Sequence, residues 1–290
     1  MNDSNLRLFT TKINFKEKHQ TLLINYFFSI FIFLSFLLPS KSYAACPAYV
    51  GSAGAETITE GGITYDVIYF AHPGLVSPTS GLLGSSTNPI TDWNSSNGGM
   101  DAINDCAGDI YMKFITSCNY NSNGTGGDMT YTAQFVNASI NNVIIDGQGS
   151  IITNFAAAAS WIRIDGRTNW KIRNLSFIGY NANAILFTDM INTRIENCIF
   201  DSNPTMRAVR IDNDDNASDV TIINSIFSNN SPISETPSTG ALEIREDEFA
   251  GPLVVHITDT DFSCNRTQGF GGGAIWISVT SFPSNGGPTV

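Results

Sequence analysis

The chain has 290 residues, with 15 Lys/Arg against 26 Asp/Glu and a formal net charge of −11. So acidic a surface repels nucleic acid and anionic polymers, and no nucleic-acid partner is expected. The length suits one elongated domain rather than two large ones.

Residues 1–44 read as an export signal. Arg7, Lys12, Lys16 and Lys18 precede an apolar run from Leu22 to Leu38, then Pro39 and the small-residue site Ser42-Tyr43-Ala44. Cleavage is expected after Ala44 or Ala45. An uncleaved anchor is the competing reading, since the run just reaches the length of about 17 residues that spans a bilayer. A lipid anchor on Cys46 is disfavoured by Tyr43, a poor residue at the third position before such a cysteine. Cleavage removes five of the basic and two of the acidic side chains and leaves a formal charge of −14. That charge fits a protein secreted or displayed at the cell surface, with no stable membrane span once the signal is gone.

Residues 45–139 form an expected cap and loop region. Thr64 to Phe70 reads as a strand and Pro73 to Asn97 as a long loop. Met100 to Cys106 reads as a short capping helix, Ile110 to Ile115 as the next strand, and Asn119 to Asp128 as a turn. A helix and strand here would cover the first edge of the sheet that follows and block strand addition. All five cysteines, at 46, 106, 118, 198 and 264, lie beyond the signal. Export into an oxidising compartment permits a bridge, and Cys106 and Cys118 are the nearest pair, although spacing alone leaves the pairing open. With no CxxC pair and no Cys/His cluster, zinc is not expected.

Residues 140–290 carry a degenerate repeat. Asn174-Leu175-Ser176-Phe177, Asn197-Cys198-Ile199-Phe200, Asn224-Ser225-Ile226-Phe227 and Asp259-Thr260-Asp261-Phe262 place their phenylalanines 23, 27 and 35 residues apart. Units this small cannot bury an apolar face alone, so they are expected to stack. An isoleucine (172, 195, 222, 257) stands two residues before each Asn or Asp, pointing inward from an alternating strand. Asn174, Asn197 and Asn224 then make corners, because asparagine tolerates the left-handed conformation, and stacked corners can form an amide ladder. A third strand opens each unit, near Ile162, Ile185, Val209, Leu242 and Ile275.

Three short strands per turn with Asn corners resemble the right-handed parallel β-helix of pectate-lyase-like proteins over about residues 140–280. Within that stretch, Phe200-Asp201-Ser202-Asn203, Phe227-Ser228-Asn229-Asn230 and Phe262-Ser263-Cys264-Asn265 resemble the FxxN repeats of polymorphic outer-membrane proteins. Gly272-Gly273-Ala274-Ile275 resembles that family's GGAI motif, of which Gly240-Ala241-Leu242 is a worn copy. The resemblance implies an all-β, single-stranded right-handed parallel β-helix with a short N-terminal capping helix. It also implies an adhesin-like or passenger-type binding module. Relatives of that kind carry a C-terminal barrel. None is visible before Val290, so the chain reads as a fragment whose missing partner is an anchor or barrel domain.

Alternation on the opening strands puts Ile162/Ile164, Ile185/Phe187, Val209/Ile211, Leu242/Ile244 and Ile275/Ile277 inward. The outward set is then Trp161, Arg163, Asp165, Leu186, Arg210, Asp212, Glu243, Arg245 and Trp276. Arginines and tryptophans on one flat face can hold sugar hydroxyls and stack on sugar rings, so Trp161, Arg163, Arg210, Glu243 and Trp276 are the candidate contacts to a glycan or cell-surface ligand. A solvated ion-pair ladder is the competing reading. Glycosidase chemistry needs two carboxylates about 5–10 Å apart. Asp212 with Glu243, supported by Arg210 and Arg245, is the best candidate for this or for lyase chemistry. The Gly-His-Gly and Arg-Ile-Lys signatures of polygalacturonases are absent. No cofactor is required by this reading. Ca²⁺ is the one candidate, between the turns holding Asp214 and Asp215 and holding Glu246 and Asp247, though neither turn matches an EF-hand.

Overall fold

The computed structural model describes residues 46–71, 81–91, 93, 99, 102–103, 106, 108–115, 119–121, 140–153, 160–204, 207–230, 240–246, 251–267 and 273–279. The expected signal, Cys118 and Asp247 lie outside them. The strands are β1 (Thr57–Glu60), β2 (Ile63–Phe70), β3 (Ile110–Phe114), β4 (Asn119–Asn121), β5 (Val143–Thr153), β6 (Ile162–Asp165), β7 (Trp170–Ile178), β8 (Ile185–Thr188) and β9 (Thr193–Glu196). They continue as β10 (Ile199–Asp201), β11 (Val209–Asn213), β12 (Ser218–Ile223), β13 (Ile226–Ser228), β14 (Leu242–Glu246), β15 (Leu253–Thr258), β16 (Asp261–Ser263) and β17 (Ile275–Val279).

The fold is all-β and its strand pairing is parallel, apart from the antiparallel pairing of β1 with β2. Twelve strands form one sheet, with β1-β2-β3-β5-β7-β10-β13-β16 as its spine and β4, β9, β12 and β15 paired beside it. The second sheet is β6-β8-β11-β14-β17. Strand neighbours belong to successive sequence repeats. Phe177 pairs with Phe200, Phe200 with Phe227 and Phe227 with Phe262, despite the unequal spacing. We call each such repeat a layer.

Inward columns explain why the register is fixed. The Phe rings stack with centroids 5.3, 4.6 and 4.7 Å apart and nearly parallel planes. Ile172, Ile195 and Ile222 form a second column with no solvent exposure. A one-residue slip would turn every one of these side chains outward, a loss of about 1.5–3 kcal/mol per side chain.

Corners turn through left-handed backbone, with φ of +55°, +51°, +49° and +49° at Asn174, Asn197, Asn224 and Asp259. The side-chain ladder at these corners is weak: Asn197 donates to Asn174 at 3.4 Å in an exposed position. A stronger ladder lies in the core, at the last residue of each FxxN phrase. Asn203 Nδ2 donates to Asn230 Oδ1 at 2.7 Å, and Asn230 Nδ2 to Asn265 Oδ1 at 2.9 Å. Asn230 Nδ2 also reaches the Phe200 carbonyl, and Asn265 Nδ2 the Phe227 carbonyl. Gly273, from the GGAI phrase, packs so closely on the Asn265 carbonyl that a Cβ there would collide with it. A third ladder, Asn192 to Asn169 to Asn142, stands immediately before the inward strands, each step 2.6 Å.

Of the capping helix expected from Met100 to Cys106, Ala102 and Ile103 are helical, while Met100, Asp101, Asn104 and Asp105 lie outside the described residues. Ala102, Ile103 and Cys106 are buried in the core, and the antiparallel strand β1 covers the sheet edge. Two expectations for the N-terminal region are corrected. Cys106 bonds to Cys46, 60 residues away, rather than to Cys118. Asn119–Asn121, read as turn, is strand β4 against β5. Ile145 to Gly149 lies in the middle of β5, where a register irregularity falls between Asp146 and Ser150. Gly147 is required there, since a Cβ would overlap Leu175.

The two kinds of ladder differ in burial, so their removal should differ in cost. Asn230→Ala leaves buried amide and carbonyl groups unpaired and should destabilise the protein by about 3 kcal/mol. Asn197→Ala, at an exposed corner, should cost less than about 1 kcal/mol. Urea unfolding of both variants measures the difference.

Candidate functional site

The five-stranded sheet brings most of the outward set together. Register aligns Arg163, Leu186, Arg210, Glu243 and Trp276 in one column. Asp165, Thr188, Asp212, Arg245 and Ser278 form the adjacent column. Their inward neighbours Ile164, Phe187, Ile211 and Ile244 have no exposure, as alternation requires.

Trp161 does not join this face. It is 1% exposed, and its ring stacks on Trp93 at 4.7 Å and meets Phe177 edge-on. It precedes the first strand residue and sits at a bend, where alternation no longer dictates direction. The expectation of a surface sugar platform at Trp161 is therefore corrected.

Asp212 and Glu243 are nearly buried, at 5% and 3% exposure. Arg210 grips Asp212 with two contacts of 2.7 Å, one to each carboxylate oxygen. Arg207 pairs with Glu243, its Nη2 donating to Oε1 at 3.3 Å and its Nε forming an ion pair with Oε2. Arg210 Nε also lies 3.9 Å from Glu243. Burial pushes the Glu243 carboxyl above its ordinary range, although Arg207 and Arg210 pull it back. The Arg207 guanidinium is lowered by the same burial. Arg207 stands just before β11, outside the strand pattern, and only its nearness to Glu243 in space reveals it.

Arg163 Nε and Trp276 Nε1, at the ends of the column, are buried donors without a hydrogen-bond partner among the described residues, and Glu243 Oε2, in its middle, is likewise without a hydrogen bond. Each such atom carries a cost of burial.

The acidic turn at Asp214 and Asp215 has a structural organiser. Asp189, itself in left-handed backbone, receives the amide N–H groups of Asp214, Asp215 and Asn216 at 2.9–3.3 Å. The Asp214 and Asp215 side chains face solvent, whereas Glu246 is buried and its carboxyl raised by that burial. Among the described residues no group of three or more His, Cys, Asp or Glu side chains is arranged to hold a metal ion.

A second polar cluster lies on the other sheet. Buried Asp146 accepts hydrogen bonds from Tyr111, Asn174 and Arg173 at 2.6–2.9 Å. Arg173 also reaches both oxygens of Glu60, at the tip of the β1–β2 hairpin, and Lys171 joins it at 2.5 Å. Burial opposes the Asp146 charge, but these bonds and the Gln148 amide hold its carboxyl below the ordinary range. Burial and the bond to Asp146 push the Tyr111 phenol up to about 12. An open groove of about 220 Å³ runs beside this cluster, lined by Glu60, Tyr65, Asn169, Lys171, Asn192 and Arg194. Sequence reasoning missed it because Glu60 and Arg173 are 113 residues apart.

The Asp146 charge should set the acid limit of this region. Its lowered carboxyl contributes stability that is complete above its ordinary value of 3.8 and lost as pH falls through the lower folded value. Asp146→Asn should therefore cost about 3 kcal/mol at neutral pH, with the gap to the parent closing at acid pH. Urea unfolding from pH 7 down to pH 2 reads this directly.

No protein-family model, curated protein or solved structure matches this chain.

Proposed function

We propose that the chain is an exported, right-handed parallel β-helix with three short strands per coil, working as an adhesin-like binding module. Its ligand is an oxygen-rich group such as a glycan on a cell surface. The observation that carries this reading is the register of the outward column, which stacks Arg163, Arg210, Glu243 and Trp276 on one parallel face. The carboxylates of that face, Asp212 and Glu243, are buried and each paired with an arginine, which favours holding a ligand over proton transfer, since the latter needs a carboxyl able to reach the substrate. The in-register layers support the β-helix part of the reading, since three strands of each repeat pair with the same three in the next.

One observation favours an enzyme instead. Glu243 is a buried carboxyl raised towards its protonated form, beside Asp212 and two arginines, and such groups cluster at catalytic sites. The second reading is thus a polysaccharide lyase or glycoside hydrolase using Arg210, Asp212, Glu243 and Arg245.

A glycan panel on the chain from Cys46 onward, with and without Ca²⁺, separates the two. Binding is expected without release of reducing or unsaturated ends, and Arg163→Ala and Trp276→Ala should each weaken it by about tenfold. Product release that disappears in Glu243→Gln would replace the binder with the enzyme. A requirement for Ca²⁺ that is lost in Asp214→Asn with Asp215→Asn would assign the acidic turns to the cation.

A further inference from the structure

The groove beside the Glu60 hairpin is a preformed shape on the twelve-stranded sheet. Lys171 of β7 and Arg194 of β9 are register partners along it, with Ile144 of β5 beside Lys171. The β1–β2 turn and the first part of β2, with Ile63 and Tyr65, line it from the hairpin. Asn169 and Asn192, directly before β7 and β9, line it from the strand starts. Both borders are held in place. Glu60 binds Lys171 and Arg173, which pins the hairpin, and ladder bonds of 2.6 Å orient the two amides. A ligand entering here does not have to order the site first.

The charges in this groove cancel. Lys171 is ion-paired with Glu60 and Glu196, and Arg194 with Glu196. An anionic ligand would have to displace one of these carboxylates, against a chain whose formal charge is −11. A cationic ligand would have to displace Lys171 or Arg194. A hydroxyl group displaces neither, because it accepts from a cation while donating to a carboxylate or amide oxygen. The capacity for that exchange is present. Lys171 turns toward two carboxylates, which leaves the third N–H of its ammonium for a ligand. Asn192 donates to Asn169, and its own Oδ1 has no partner among the described residues. The volume, about 220 Å³, is below the roughly 300–1,000 Å³ of pockets for drug-sized ligands and suits a single ring. Ile63, half-buried, offers the C–H face of such a ring an apolar contact.

We propose that this groove is a binding site for one neutral sugar ring, free or as the terminal residue of a glycan. Lys171, Arg194 and Asn192 hold its hydroxyls, and Ile63 meets its C–H face. The site lies on a different sheet from the column of Arg163, Arg210, Glu243 and Trp276, and it stands whether or not that column binds.

Methyl glycosides of glucose, galactose and mannose, the matching uronic acids, and neutral oligosaccharides ending in the same rings are the probes. Titration followed by NMR should show at least one neutral glycoside binding with a Kd of about 1 mM, and the matching uronic acid about tenfold more weakly. In the unaltered protein the Ile63 methyl resonances should shift and the Trp276 indole N–H should not. Arg194→Ala and Asn192→Gly should each weaken binding about tenfold, whereas Arg163→Ala should leave it unchanged. Glycine at 192 keeps the left-handed backbone, φ +49°, so the loss reports the side chain. Tighter binding of an oligosaccharide than of its terminal glycoside assigns the ring to a glycan end, and equal binding assigns it to a free sugar. Three results would overturn the proposal: no neutral glycoside bound at about 10 mM, a preference for the uronic acids, or binding that moves Trp276 and depends on Arg163 but not on Arg194 or Asn192. The last of these would leave the outward column as the glycan site.

Discussion

The whole architecture depends on a buried amide, the asparagine that ends each FxxN phrase. Asn203 and Asn230 are fully buried, and such a side chain is tolerated only when its donors and acceptor find partners. Here the partners are the same residue one layer away and the backbone around the preceding phenylalanine. The bond therefore exists only when layers are in register, and the stacked Phe rings beside it have the same requirement. An apolar column alone would tolerate some sliding. The amide column penalises it, because any slip leaves several polar groups unpaired at once.

The same economy of partners shapes the outward face. Two carboxylates on one parallel face would repel each other and attract solvent. Arg207 and Arg210 remove both tendencies by pairing with the two carboxylates, each through two guanidinium nitrogens, which a lysine could not supply. The cost is that the central carboxylates are engaged by arginines rather than by solvent. On the other sheet the Glu60 hairpin does something similar, folding over Lys171 and Arg173 so that an otherwise basic stripe becomes part of a mixed network.

Much of the core was legible in the sequence. Positions spaced by two within short strands predicted Ile172, Ile195, Ile222 and the Phe column, and the left-handed corners followed from asparagine's conformational tolerance. Less was legible where the geometry leaves the strand. Trp161 stands one residue outside β6, so alternation assigned it to the wrong side. The importance of Asn203, Asn230 and Asn265 was hidden because polar residues after a strand read as turn. The Asn142, Asn169 and Asn192 ladder did have a signal, an asparagine directly before each inward strand. The Cys46–Cys106 bond and the Asp146 cluster join residues far apart in sequence, and no local pattern encodes such pairs. Arg207 was missed for the same reason as Trp161, lying just before its strand.

Unequal spacing of the layers has a consequence for how the protein can change. From Phe227 to Phe262 there are eight more residues than from Phe200 to Phe227, yet both pairs hold the same register. Strand register therefore does not depend on connector length. Connectors can lengthen by small insertions, each adding little closure entropy, while the stack beneath them keeps its register. A grafted epitope or affinity tag placed in a connector rather than at a terminus would exploit the same independence.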